Sequence, residues 1–96
     1  MRARIAARGL AERVTLIAER VDMAAALAGA HAAALLVSDS SIVKAYPNSL
    51  MEAQAMGRPV LLSAQIPMSD DVVGDGAGVV TPGASPEDAH AGLTRL

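Results

Sequence analysis

Short apolar runs separated by glycine- and serine-rich breaks divide this chain into alternating helical and extended segments. Residues 3–9 predict the end of a helix, stopped by Gly9 just past its last turn. Val14-Thr15-Leu16-Ile17 is a β-branched run and predicts a strand. Asp22 predicts the cap of a second helix, Met23 to about Ala30, weakened near its end by Gly29. Ala33 to Val37 is continuously apolar, the mark of a strand buried on both faces. A third helix starts at Pro47 or Ser49 and ends at Gly57, because Pro59 forbids its continuation. Val60-Leu61-Leu62-Ser63 predicts another buried strand, Asp70 to Val73 one helical turn, Gly74 to Gly78 a turn, and Gly78 to Thr81 a last short strand. Ser85-Pro86-Glu87-Asp88 places a hydroxyl cap, a proline and two acids where a helix begins. Ala89, Gly92, Leu93 and Leu96 then fall on one face of that helix.

Strands alternating with helices predict an α/β fold: a Rossmann-like parallel sheet with flanking helices. With 96 residues the chain forms one domain and not two. It opens and closes inside helical patterns, as expected of a partial domain. Alanine makes up much of the 52% hydrophobic content and Tyr46 is the only aromatic residue, so the core is built from Leu, Ile, Val and Met.

Charge and composition remove several classes of function. Eight basic and ten acidic residues, net −2, leave no footprint for nucleic acid. With no cysteine there is neither a disulfide nor a thiolate metal site, and His31 and His90 do not cluster. No metal is expected. No apolar run approaches the roughly 18 residues of a membrane span. The basic start MRARIAARGL has no apolar stretch behind it, so it is not a secretory signal, and the expected location is the cytoplasm.

Open parallel sheets bind ligands beyond the carboxyl ends of their strands. Those ends deliver Ala18 to Arg20, Ser38 to Lys44 and Ser63 to Met68. The helix beginning near Ser49 points its amino end at the same edge, where free N–H groups and roughly half a positive charge suit a phosphate.

These residues resemble a family. Arg13-Val14-Thr15-Leu16, then Ala32 to Ser38, then Pro47-Asn48-Ser49-Leu50-Met51-Glu52-Ala53, then Gly57-Arg58-Pro59-Val60 is similar to the C-terminal, donor-nucleotide-binding domain of retaining GT-B glycosyltransferases of group 1 type. Val73-Gly74-Asp75-Gly76, Gly78 and Pro82-Gly83 fit that family's closing loop, strand and helix. The resemblance implies transfer of a hexose-type sugar from a nucleotide diphosphate sugar to a glycan, lipid or small-molecule acceptor, with no further cofactor. It implies that residues 1–96 are a partial C-terminal domain without its first strand-helix units and its final helix. The missing N-terminal domain of the same enzyme is then a partner, and peripheral membrane contact through that part is left open.

In the family's E-x7-E motif the second glutamate matches Glu52 and hydrogen-bonds the ribose. Eight positions upstream, where the first glutamate contacts the donor sugar, this chain has Lys44. Backbone amides around Asn48, Ser49 and Leu50 match the diphosphate cradle. The basic pair that grips the diphosphate has no visible match.

Each candidate carries a second reading. Ser49-Leu50-Met51-Glu52 is also an S-x-x-E capping box, in which Glu52 would bond back to the Ser49 N–H. Lys44 is either a solvated loop lysine or a cation near the diphosphate or sugar. Tyr46 stacks on a base or sugar, or packs. Ser38, Ser40 and Arg20 are ligand contacts or polar surface. Asp70 and Asp71 read as caps of the turn at Val72-Val73. The Gly74, Gly76, Gly78 series lacks the spacing of a phosphate loop. Lys44 in the glutamate's place also admits a degenerate, non-catalytic domain that binds partners or regulates. A flavodoxin-like signalling domain would use Asp39 as phosphoacceptor, but this chain has no early acidic pair to hold Mg²⁺.

Overall fold

A computed structural model describes residues 2–17, 22–39, 41 and 45–96. The described elements run α1 (Arg2–Ala7), α2 (Met23–Ala28), β1 (Ala33–Leu35), α3 (Asn48–Ala55), β2 (Val60–Ser63), α4 (Ser69–Asp75), β3 (Gly78–Thr81) and α5 (Pro86–Arg95). The three strands form one parallel sheet in the order β1-β2-β3. Val60 pairs with Ala33 on one side and Gly78 on the other, and Leu62 with Leu35 and Val80. This is the α/β, Rossmann-like arrangement that the alternation predicts.

β2 lies at the centre, and all four of its residues are buried. Val60 and Leu62 face the main core, which Leu27, Leu50, Ala53, Ile66, Met68 and Val72 supply from α2, α3 and the segment around α4. Leu61, Val79 and Thr81 lie on the opposite face, beneath α5. α5 makes its contact through Gly92: a Cβ there would stand 2.6 Å from Leu61 Cδ1 and 2.8 Å from Thr81 Cγ2. Leucine or valine at that position would push the helix off the sheet. The approach also explains why Leu93 is 59% exposed, against the expectation of a four-residue core face; Leu96, 43% exposed, lies past the last residue of α5. With Gly92 centred on the sheet, its neighbour lies about 100° around the helix.

The same geometry limits β1. The apolar run predicts burial on both faces from Ala33 to Val37. The strand ends at Leu35, and Ala34 is exposed. Ala34 is in register with Leu61 on the α5 face, but α5 packs mainly on β3 and reaches β2 at Leu61.

The strand expected at Val14–Ile17 does not form. The Val14 N–H donates to Leu10 O at 3.0 Å, a helical-turn bond that a ladder would otherwise use. Val14 and Leu16 line a shallow pocket with Ile5, Ala6 and Ala11, while Ile17 is 58% exposed. β-Branched residues favour strands when a neighbouring strand packs against them, and among the described residues no strand pairs with this segment. In place of a single turn at Asp70–Val73, α4 runs on through Gly74 and closes at Gly76, φ 67°.

The other boundaries agree with the pattern. Asp22 Oδ1 accepts from the N–H groups of Ala24 (3.1 Å) and Ala25 (3.4 Å) and caps α2. The Ser85 hydroxyl accepts from Asp88 N–H at 3.1 Å and caps α5. No helix among the described residues is long and apolar enough to cross a membrane.

Candidate functional site

The carboxyl edge of the sheet collects the ends of β1, β2 and β3 and the start of α3. Hydroxyls shape this edge. Ser63, fully buried at the end of β2, accepts from Val37 N–H at 2.9 Å and donates to Val37 O at 2.8 Å. At the end of β3, Thr81 Oγ1 donates to Gly83 O at 2.6 Å. Gln65 Nε2 donates to Pro82 O at 2.9 Å and joins the segments leaving β2 and β3.

Beyond Val37, Ser38 is exposed on this edge, and Asp39 Oδ1 accepts from Ser41 N–H at 2.8 Å in a tight Asx turn. Those bonds from Ser41, main chain first and then side chain, hold the Asp39 carboxyl below its usual value. Nearer α3, Ala45 O accepts from Met68 N–H at 3.0 Å, and the Tyr46 hydroxyl donates to Asp71 Oδ2. Tyr46 thus anchors its segment to α4. Donation to Asp71, and then the carboxylate's charge, push the phenol above its ordinary value near 10.0. The sequence predicts Asp70 and Asp71 as caps of a turn. Instead they sit in the first turn of α4, where the N-cap is Met68 without a side-chain bond, and Asp71 serves Tyr46.

α3 begins at Pro47, whose extended backbone (φ −61°, ψ 131°) makes it the N-cap. Asn48 and Ser49 are then the first and second helical residues. Leu50 is buried and its N–H already donates to Pro47 O at 3.1 Å, so among the three expected cradle amides it serves the helix. The N–H groups of Asn48 and Ser49 have no partner among the described residues. The capping-box reading of Ser49 and Glu52 fails here. No side chain caps α3, and Glu52, the fifth helical residue, lies too far along to reach the cap. Its carboxylate is exposed, one turn from the helix start.

The structure therefore brings Ser38, Tyr46, Asn48 and Ser49 to one edge, with Glu52 on the helix above it. Lys44, Arg20 and Ser40 lie outside the described residues. His31 and His90 are exposed. Among the described residues no three His, Cys, Asp or Glu gather as metal ligands.

A cleft of 660 Å³ lies at the opposite, amino edge, lined by Gly57, Arg58, Pro59, Gly78 and Arg95 among others. Arg58 is committed there: Nε donates to Leu27 O and Nη2 to Ala28 O, both at 3.1 Å. It closes the carboxyl end of α2 from another element, a cation on the negative end of the dipole. The sequence shows Arg58 only as part of Gly57-Arg58-Pro59-Val60, and no local pattern announces a cap 31 residues away. Ser63 was legible only as one member of a strand end.

No curated protein and no solved structure matches the chain. The family model of the glycosyl transferases group 1 matches residues 1–96, the whole chain. With a parallel sheet and a helix start open at its carboxyl edge beneath that match, the chain belongs to the group 1 glycosyltransferase family.

Proposed function

We propose that the chain is the donor-nucleotide part of a retaining, GT-B-type glycosyltransferase. The observation that carries this reading is the start of α3, where the Asn48 and Ser49 N–H groups have no partner among the described residues and stand at the ligand edge of the sheet of a family member. They receive the diphosphate of a nucleotide sugar. Glu52, which when ionised can only accept hydrogen bonds, takes the ribose hydroxyls.

In the reaction the bond between the anomeric carbon and the diphosphate oxygen breaks, and the nucleotide leaves with the electron pair. The acceptor oxygen bonds to the same carbon and releases its proton. Negative charge grows on the diphosphate as it departs. Amides fixed at a helix start stabilise that charge without reorganising. The acceptor site and the second wall of the cleft come from another domain, so the chain alone does not transfer sugar. Titrating the folded chain calorimetrically with uridine, adenosine and guanosine diphosphates tests the site, and heat from at least one is expected. Flat titrations with all three would remove the reading.

Lys44 in place of the sugar-contacting glutamate favours a second reading, a non-catalytic domain of the same fold that binds a partner. If the full gene product transfers sugar, and Lys44→Glu changes only donor choice, this second reading fails.

A further inference from the structure

We propose that Ser63 is a positioning residue for the donor nucleotide: its hydroxyl fixes where the chain leaves β1, and so where Ser38 and the start of α3 stand relative to each other. The proposal rests on the donor-site reading above. The ladder between β1 and β2 ends at the pair Leu35–Leu62. Beyond it, the main chain leaving β2 turns its hydrogen bonding to β3, with Ala64 N–H donating to Thr81 O at 2.8 Å. Val37 is buried, past the end of the ladder that would otherwise pair its N–H and C=O. The Ser63 hydroxyl fills both needs at once, at 2.9 and 2.8 Å. Its Cβ–Oγ arm is short and fully buried, so the position it sets for Val37 is narrow.

The same β2-to-α4 segment holds the far end of the connection, through Met68 N–H on Ala45 O and Asp71 on Tyr46. The chain between β1 and α3 is thus held at both ends from one stretch of sequence, Ser63 to Asp71. The exposed Ser38 and the amides of Asn48 and Ser49 are separated by that clamped connection. A ligand spanning them reads the distance that the clamp sets. Alanine at position 63 removes one oxygen from the interior and touches no ligand, so its effect on binding travels through Val37.

The test compares wild type, Ser63→Ala and Arg58→Ala. The last removes two side-chain hydrogen bonds at the opposite, amino edge and serves as a control for lost stability. Nucleoside diphosphate Kd and amide exchange are measured on the folded protein. For Ser63→Ala we expect exchange at Val37 to accelerate at least tenfold against the β2 amides, and Kd to rise at least fivefold. Arg58→Ala should keep the wild-type Kd. If Ser63→Ala does not fold, Ser63→Cys, which has a weaker donor and acceptor, takes its place with the same expectations. Rapid exchange at Val37 with an unchanged Kd overturns the proposal alone, as does an equal loss of affinity in Arg58→Ala. Absence of nucleotide binding by the wild type overturns the donor-site reading and this proposal together.

Discussion

Replacing Glu52 with alanine separates a ligand contact from a structural cap. Glu52 is exposed and is the fifth residue of a helix whose N-cap is Pro47, with no side-chain cap bond. Removing a capping side chain lowers stability by about 1 kcal/mol. Removing an uncommitted glutamate from a helix surface changes stability by about 0.5 kcal/mol or less, and alanine's helix propensity offsets part of that. With a urea m-value of about 1 kcal/mol per M for a chain of this size, the cap would shift the unfolding midpoint by about 1 M and the uncommitted carboxylate by less than about half that. Binding runs the other way. Hydrogen bonds to a charged group contribute about 1.5–3 kcal/mol, so a carboxylate on the ribose is worth roughly a tenfold to 150-fold change in Kd. The expected result for Glu52→Ala is therefore a nearly unmoved urea midpoint with nucleotide affinity down at least tenfold. A midpoint lowered by about 1 M with unchanged affinity would refute the reasoning and restore the cap.

Other expectations follow from particular contacts. A Cβ on Gly78 would stand 2.0 Å from Val60 O, on the backbone of the paired strand, so Gly78→Ala should lower stability by about 3 kcal/mol or more. Gly74 lies in α4, where a Cβ would meet nothing within 4 Å, and it should gain about 0.5–1 kcal/mol as alanine; equal urea midpoints for the two variants would contradict this contrast. Tyr46 is the only aromatic residue, so near-ultraviolet absorbance reads its ionisation directly. Its folded value is raised, so the stability it contributes is fully present below the ordinary tyrosine value and is lost as pH rises through the folded one. Asp71→Asn should bring the titration back toward 10.0, and an unmoved titration would show that Asp71 is not the cause. Arg58→Ala frees the carbonyls of Leu27 and Ala28 and should lower stability by about 1–2 kcal/mol, with nucleotide affinity unchanged; a loss of affinity would place Arg58 in the site.

The elements that could be read from the sequence are those whose determinants are local. β2 and β3 were legible to the residue because Val60–Ser63 and Gly78–Thr81 sit between a proline or glycine break and a polar turn. The caps at Asp22 and Ser85 were legible because a short polar side chain bonds two or three residues ahead. What the pattern misplaces depends on neighbours distant in sequence. Val14–Ile17 has strand residues and no strand beside it. Leu93 has the right period but is turned away by the close approach of Gly92 to Leu61. Ser49-x-x-Glu52 has the letters of a capping box, yet the N-cap lies two residues earlier, at Pro47. The candidate site was legible as an edge and a helix start. The side chains that hold that edge in shape, Ser63 on Val37 and Asp71 on Tyr46, join residues 26 and 25 positions apart.

The central claim is that a nucleoside diphosphate sits on the start of α3 at the carboxyl edge. Amide chemical shifts of the isotope-labelled chain, followed through a titration with the diphosphate that gives heat, test it most directly. The largest changes are expected at Asn48 and Ser49, with Ser38 following. Changes centred on Arg58 and Arg95 at the amino-edge cleft, with Asn48 and Ser49 unmoved, would contradict it.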